Sequence, residues 1–242
     1  MQPLQRLIAS DGYEVMLFPL EYMYMSQGEG GGTSHQGTYQ IDFLGWNSLG
    51  RVYHCPYYAP CTCRCVGTTD AAANNRIYQS VNQVHLADGT LGIVTFEVAH
   101  DNTPPHNVGD TVGQGQLLGY TGTAGYVTGD HLHYQCARGS YAGWVQLPNR
   151  NWMLRNEMHI YDACYVNDTV IIEGYGYNWR TYDGGVTPPT PEDEEKKKHK
   201  FPWVLYARKF RERRNFLTFL LFCDTYIARK ECYSCLNLLK MN

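Results

Sequence analysis

His131 and His133 flank Leu132 in the stretch Gly129-Asp130-His131-Leu132-His133-Tyr134. Side chains alternate along a β-strand, so an extended segment here turns both imidazoles to one face and Leu132 into the core. Two further fragments stand upstream. Ser34-His35-Gln36-Gly37-Thr38-Tyr39-Gln40-Ile41-Asp42 places a His and an Asp among small and polar residues, and Val98-Ala99-His100-Asp101 closes an apolar, β-like run on a His. Neutral imidazoles with a carboxylate suit Zn²⁺, which takes N and O ligands and keeps a fourth position for water in catalytic sites.

The remaining composition favours strands. With 24 Gly and 20 Tyr in 242 residues and only short apolar runs, a β-rich domain is expected over a helical bundle. The best apolar run, Phe216 to Cys223, falls far short of the ~20 residues of a spanning helix. The start, Met1-Gln2-Pro3-Leu4-Gln5-Arg6, lacks the charged and apolar regions of a secretory signal, so export by that route is not expected. Nine Cys is an odd number, and without export free thiols are expected. Cys61, Cys63 and Cys65 alternate and would share a strand face. A core face using Cys as a small hydrophobe is the simpler reading, and a Cys metal site the sharper one. Cys232-Tyr233-Ser234-Cys235 is a lone pair without a matching second.

Charge is uneven. Residues 1–191 carry eight Arg, no Lys and 16 acids, a net of −8, whereas 192–215 carry nine basic and five acidic residues, a net of +4. A basic segment on an acidic body suggests docking to an anionic surface. Nucleic acid is not expected, because no recognisable module accompanies the charge. The Gly/Pro stretch Gly184 to Pro191 reads as a linker. The expected organisation is a domain over 1–183, a Gly/Pro and charged linker over 184–200, and a basic, apolar tail over 201–242 with a pattern that a helix could adopt.

Within the first domain, Tyr57 to Val66 and Ile77 to Leu86 read as strands. Asp88-Gly89 is a hairpin signal with Leu91 to His100 as the return strand. Val108 to Gly119 reads as a β-turn-β unit, Thr121 to Gly129 as a Gly/Thr loop, His131 to Ala137 as a strand, and 143–182 as further short β segments.

In their order, Gly37, Asp42, Tyr58-Ala59-Pro60, Asp88-Gly89, Ala99-His100, the run Val108 to Gly125 (VGDTVGQGQLLGYTGTAG) and Gly129 to Gln135 (GDHLHYQ) resemble the lysostaphin-type (LytM-like) zinc endopeptidases. The resemblance covers about residues 15–140. It implies an antiparallel β-sheet domain with an open groove, a Zn²⁺ cofactor, and hydrolysis of peptide bonds in bacterial peptidoglycan, in cross-bridge or stem. It puts the metal ligands on His35, Asp42 and His133 and the catalytic, non-ligand histidines on His100 and His131. One of those two would move the proton of the attacking water and the other would stabilise the developing charge. The stretch 143–182 and the Phe-Pro-Trp tail are similar to the segments C-terminal to this domain in some bacteriophage lysins. The implied setting is a phage endolysin, held in the host cytoplasm until lysis, or a tail-associated lysin, with residues 196–214 docking on phage tail proteins or an anionic surface. A non-catalytic tail-tip protein retaining the fold is the alternative; some relatives lose ligands, but every matching position here is filled.

The spacing departs from the family pattern. His35 and Asp42 are seven apart, an odd offset that an unbroken strand would put on opposite faces. A bulge or turn at Gly37-Thr38 is therefore expected. Glu29 and Asp70 are the alternative carboxylates. His54, His85, His106, His159 and His199 are expected to be structural or solvated, and Asp101 and Asp130 to form turns and local hydrogen bonds. Tyr126 and Tyr134, with Tyr141 nearby, are the candidates for a substrate wall, and core packing is the simpler reading of any one of them.

Overall fold

The computed structural model describes residues 5–184. Its main element is a sheet of nine strands: β1 (Tyr22–Gln27), β2 (Ile41–Leu44), β3 (Cys63–Gly67), β4 (Arg76–Ser80), β5 (Val94–Ala99), β6 (Thr111–Val112), β7 (Leu132–Arg138), β8 (Glu157–Met158) and β9 (Val170–Glu173). Across the sheet the order is β6-β3-β4-β5-β7-β2-β1-β9, and β8 pairs with the far end of β7. Neighbours run antiparallel, except that β9 lies parallel to β1 at the edge. A single turn, α1 (Ile160–Ala163), is the α-helix among the described residues. The fold is thus mainly β. No helix among these residues is long and apolar enough to cross a membrane. The expected tail, Cys232, Cys235, His199 and all but Gly184 of the expected linker lie outside the described residues.

Strand alternation sorts the sheet into two faces. Phe43 stands opposite Leu132, Ile41 opposite Tyr134, Phe96 opposite Cys136 and Tyr78, and Cys65 opposite Tyr78. All are buried and form the core with Met16, Phe18, Leu20 and Ile160. Cys61, Cys63 and Cys65 belong to this core as free thiols, which is the simpler of the two readings. Burial pushes the Cys63 thiol far up, so it behaves as a hydrophobe. The opposite face carries Asp42, His133, Gln135, Ala99 and Glu97, in register across β2, β7 and β5.

Several expected strands are shorter than read. Tyr57 to Val66 breaks at Pro60, which has no N–H to give a ladder. Its two parts serve different sheets: Pro56–Tyr58 pairs with Leu117–Tyr120, and β3 joins the main sheet. Ile77 to Leu86 is interrupted after β4, and Leu91 to His100 breaks at Ile93. The Asp88-Gly89 hairpin is present, with Leu91 opposite His85 and Gly89 at φ +86°. The Val108 to Gly119 unit does not pair with itself. Its turn at Gly113–Gln116 sends β6 to β3 and Leu117–Tyr120 to Pro56–Tyr58.

Candidate metal centre

The centre forms where β2, β5 and β7 run side by side. Asp42 is the cross-strand partner of His133, and Ala99 flanks His133 on its other side. His133 Nδ1 lies 2.9 Å from Asp42 Oδ1. His35 arrives from above. The chain turns over residues 32–38, with His35 N donating to Gly31 O at 3.1 Å and both Thr38 N and Thr38 Oγ1 donating to His35 O at 3.0 Å. Gly37 closes the turn at φ +78°, a conformation that favours glycine. The expected turn at Gly37-Thr38 is present but wider. His35 is not on a strand at all, so its odd offset from Asp42 is no obstacle.

A stack of rings holds this loop. His159 lies between Tyr39 (3.8 Å between centroids) and Tyr161 (4.8 Å), and its Nδ1 meets Glu29 Oε2 at 2.8 Å. Glu29 N donates to Tyr177 Oη at 3.1 Å. Glu29 is therefore spent on His159, and Asp70 caps the turn at Ala72 and Ala73; neither reaches the centre.

His35, Asp42 and His133 each present one ligand atom within 4.8 Å of the others. The hydrogen-bond partners of the rings suit a cation between them. His35 Nδ1 faces Gly28 O at 3.3 Å, and a carbonyl only accepts, so Nδ1 carries the hydrogen. In the neutral ring Nε2 is then a bare lone pair. It is buried, has no hydrogen-bond partner, and points at Asp42 Oδ1 from 3.3 Å. A lone pair against a carboxylate needs a positive charge between them. His131 repeats the pattern: Nδ1 donates to Gly129 O at 2.8 Å, and Nε2 stands 3.5 Å from the same Oδ1. Burial pushes the Asp42 carboxyl up, but the contacts from His131, His133 and His35 outweigh it and hold the group well below the usual carboxylate range. His35 is 1% exposed at the floor, while the side chains of Asp42, His131 and His133 keep 13%, 12% and 16%, so the centre opens to solvent.

His100 ends β5 at φ +76°, unusual for a residue with a Cβ. Its N donates to Ala73 O at 2.8 Å, its ring Nδ1 donates to Ala124 O at 2.8 Å, and Ala124 N donates to its carbonyl at 3.0 Å. The ring centroid lies 4.6 Å from that of His131 and 5.7 Å from that of His133. Burial, then the charges on His133 and His131, lower its pKa to about 4. Gly122 bridges His131 through two backbone bonds of 3.1 Å; a Cβ there would stand 2.2 Å from His100 O. The structure thus brings together all five histidine and aspartate positions expected from the sequence.

Of the aromatic candidates for a substrate wall, Tyr134 is excluded by its position. Tyr134 follows His133 on β7 and points to the other face, fully buried with its hydroxyl 3.7 Å from Cys164 Sγ. It lines no groove. Tyr126 is fully exposed in the 121–129 loop. Asp101 and Asp130 act locally, as expected: Asp101 accepts Tyr120 N (2.7 Å) and Thr103 N (2.8 Å), and Asp130 accepts Thr121 Oγ1 (2.6 Å) and His54 N (3.1 Å). A surface depression lined by Arg64, Gln79, Val81 and Val108 lies toward the β6 edge and includes none of the centre.

Two acids near the centre belong to none of the sequence motifs. Glu97 is buried beneath His133, 3.9 Å from its Nε2. A lone acid in the apolar run Val94–Ala99, two positions from Ala99 and so on its face, was the available signal. Glu157 lies at the end of β8 with Oε1 buried and unbonded. Burial, aided by the charge of Glu29, pushes its carboxyl up to about 7. Between about 4.5, its ordinary value, and 7 the folded protein therefore binds a proton that the unfolded chain has released, and stability falls as pH rises through this window. Glu157→Gln is expected to raise stability by on the order of 1–2 kcal/mol at pH 8 and to leave it unchanged at pH 4. Thermal unfolding in chelator at both pH values checks this.

No family model matches the chain. It is 38% identical over 192 residues to Morphogenesis protein 1 of Bacillus phage B103, a match covering 78% of this chain and 51% of that protein. The chain thus spans about half the length of this curated relative. Among solved structures it is similar to the catalytic domain of lysostaphin from Staphylococcus simulans (23% identity, 49% of this chain and 80% of that one, TM-score 0.35). It is also similar to a zinc-containing peptidase from Vibrio cholerae (14%, 62% and 42%, TM-score 0.37). A third is the catalytic domain of a prophage-encoded M23 protein from Enterococcus faecalis (16%, 54% and 87%, TM-score 0.36).

Proposed function

We propose that this chain is a zinc-dependent endopeptidase that hydrolyses peptide bonds in bacterial peptidoglycan, in cross-bridge or stem. The observation that carries the reading is the orphaned Nε2 of buried His35, aimed at the same Asp42 oxygen that His133 Nδ1 meets. His35, Asp42 and His133 would hold the zinc. When bound, zinc supplies a Lewis acid that polarises a carbonyl and acidifies water. The motif order from Gly37 to Gln135 supports peptidoglycan as the substrate.

The chain's own residues handle the proton. His131 and His100 each commit Nδ1–H to a carbonyl, so each offers Nε2 as an acceptor. His131 Nε2 stands at the rim of the ligand group and is the better placed to take a proton from the attacking water and return it to the leaving amine. His100, neutral at pH 7, lines the same side.

The likeness to a phage morphogenesis protein favours a chain that works with a phage particle, opening the wall during penetration, over a free endolysin. On this proposal the basic stretch 196–214 docks on phage tail proteins or an anionic surface. That relative's name also favours a second reading, a structural protein retaining a peptidase fold. Digestion of purified peptidoglycan by the zinc-loaded chain, with and without chelator, separates the two. New amino and carboxyl ends that vanish with chelator are expected; intact walls of several bridge types would favour the structural role.

A further inference from the structure

Glu97 is 5% exposed on the face of the sheet that carries the centre, and the proton chemistry of His131 and His100 leaves it unused. Its Oε1 accepts Asn75 Nδ2 at 2.6 Å and its Oε2 accepts Gln135 Nε2. Neither amide is free to turn round. Asn75 Oδ1 already accepts Thr69 N (2.9 Å) and Asp70 N (2.8 Å), and Gln135 Oε1 accepts Leu154 N (2.9 Å). Position 97 must therefore accept at both oxygens, which a carboxylate does and an amide does not. His133 Nε2 stands 3.9 Å from Oε2, longer than a hydrogen bond and close enough for the carboxylate charge to favour a hydrogen on that nitrogen.

As a neutral ring His133 has two ways to carry its hydrogen. On Nδ1 it would bond Asp42 Oδ1 at 2.9 Å and close the ligand group from within. On Nε2 it leaves Nδ1 bare. We propose that Glu97 is a positioning residue for the metal centre: its carboxylate draws the His133 hydrogen to Nε2 and keeps Nδ1 available as a ligand. Metal-bound histidines commonly direct their other N–H to such an acceptor, and losing it typically costs about 10–100-fold in metal affinity. The inference rests on the proposed zinc site.

The test uses the full chain and zinc alone. Competition with a chromophoric chelator gives the affinity, and nitrogen-15 NMR of the metal-free protein, at a pH where the ring is neutral, gives the His133 tautomer. Glu97→Gln is expected to bind zinc about 10–100-fold more weakly and to shift His133 to the Nδ1–H form. Asn75→Ala, which damages the same network but keeps the carboxylate, is expected to lose stability and less than about threefold in affinity, as only the outer contact of the acceptor is removed. Equal affinity in wild type and Glu97→Gln overturns the proposal while the zinc site stands. A wild type that binds no zinc removes the zinc site itself. Should Glu97→Gln fail to fold, the wild-type tautomer decides: Nε2–H on His133 supports the proposal, and Nδ1–H contradicts it.

Discussion

Asp42→Ala is expected to give a folded chain that retains no zinc and releases no new ends from peptidoglycan. The carboxylate is the hub of the centre, since His35 Nε2, His131 Nε2 and His133 Nδ1 all converge on Oδ1. Without it, the three imidazole nitrogens that meet at Oδ1 lose the charge they share. Loss of an outer-sphere partner alone costs about 10–100-fold in metal affinity, so loss of the carboxylate itself should exceed about 100-fold. The fold should survive, because Asp42 lies on the face of β2 opposite Ile41 and Phe43, which hold the core. Gln27 Nε2, 3.1 Å from Oδ2, loses a partner, at about 1–3 kcal/mol. Circular dichroism, zinc content and wall digestion on the same sample check all three expectations.

His131→Ala separates chemistry from metal retention. His131 is outside the ligand group, and its Nδ1 bond to Gly129 O is local. The variant is expected to hold zinc as wild type does. Removing a positioned proton acceptor should lower kcat by about 10²–10⁴-fold with little change in KM. Steady-state kinetics on a soluble peptidoglycan fragment, alongside zinc content, check this. Loss of zinc together with activity would instead make His131 a ligand.

The contrast between the pairs His131–His133 and His35–Asp42 shows what was legible in the sequence. His131 and His133 obey strand alternation, so their shared face could be read from two letters and a buried Leu132. The same rule excludes Tyr134 from that face and puts it in the core, whatever its proximity in sequence to His133. His35 and Asp42 were harder, because a left-handed Gly37 and a turn over 32–38 set their approach, and spacing fixes only that the strand must break. Glu97 reaches the centre through sheet register, with Glu97 opposite Gln135 and Ala99 opposite His133. Register between distant strands is a tertiary property that one sequence does not encode locally. Broken strands at Pro60 and Ile93 have the same origin, since each break marks a change of sheet.

The most direct test is zinc stoichiometry: the purified full chain, dialysed against micromolar zinc and then zinc-free buffer, measured by mass spectrometry of the metal beside Asp42→Ala. The account predicts about one zinc per wild-type chain and almost none in the variant, as expected of a His–Asp–His site with an open position. A folded wild type that emerges without zinc would contradict it.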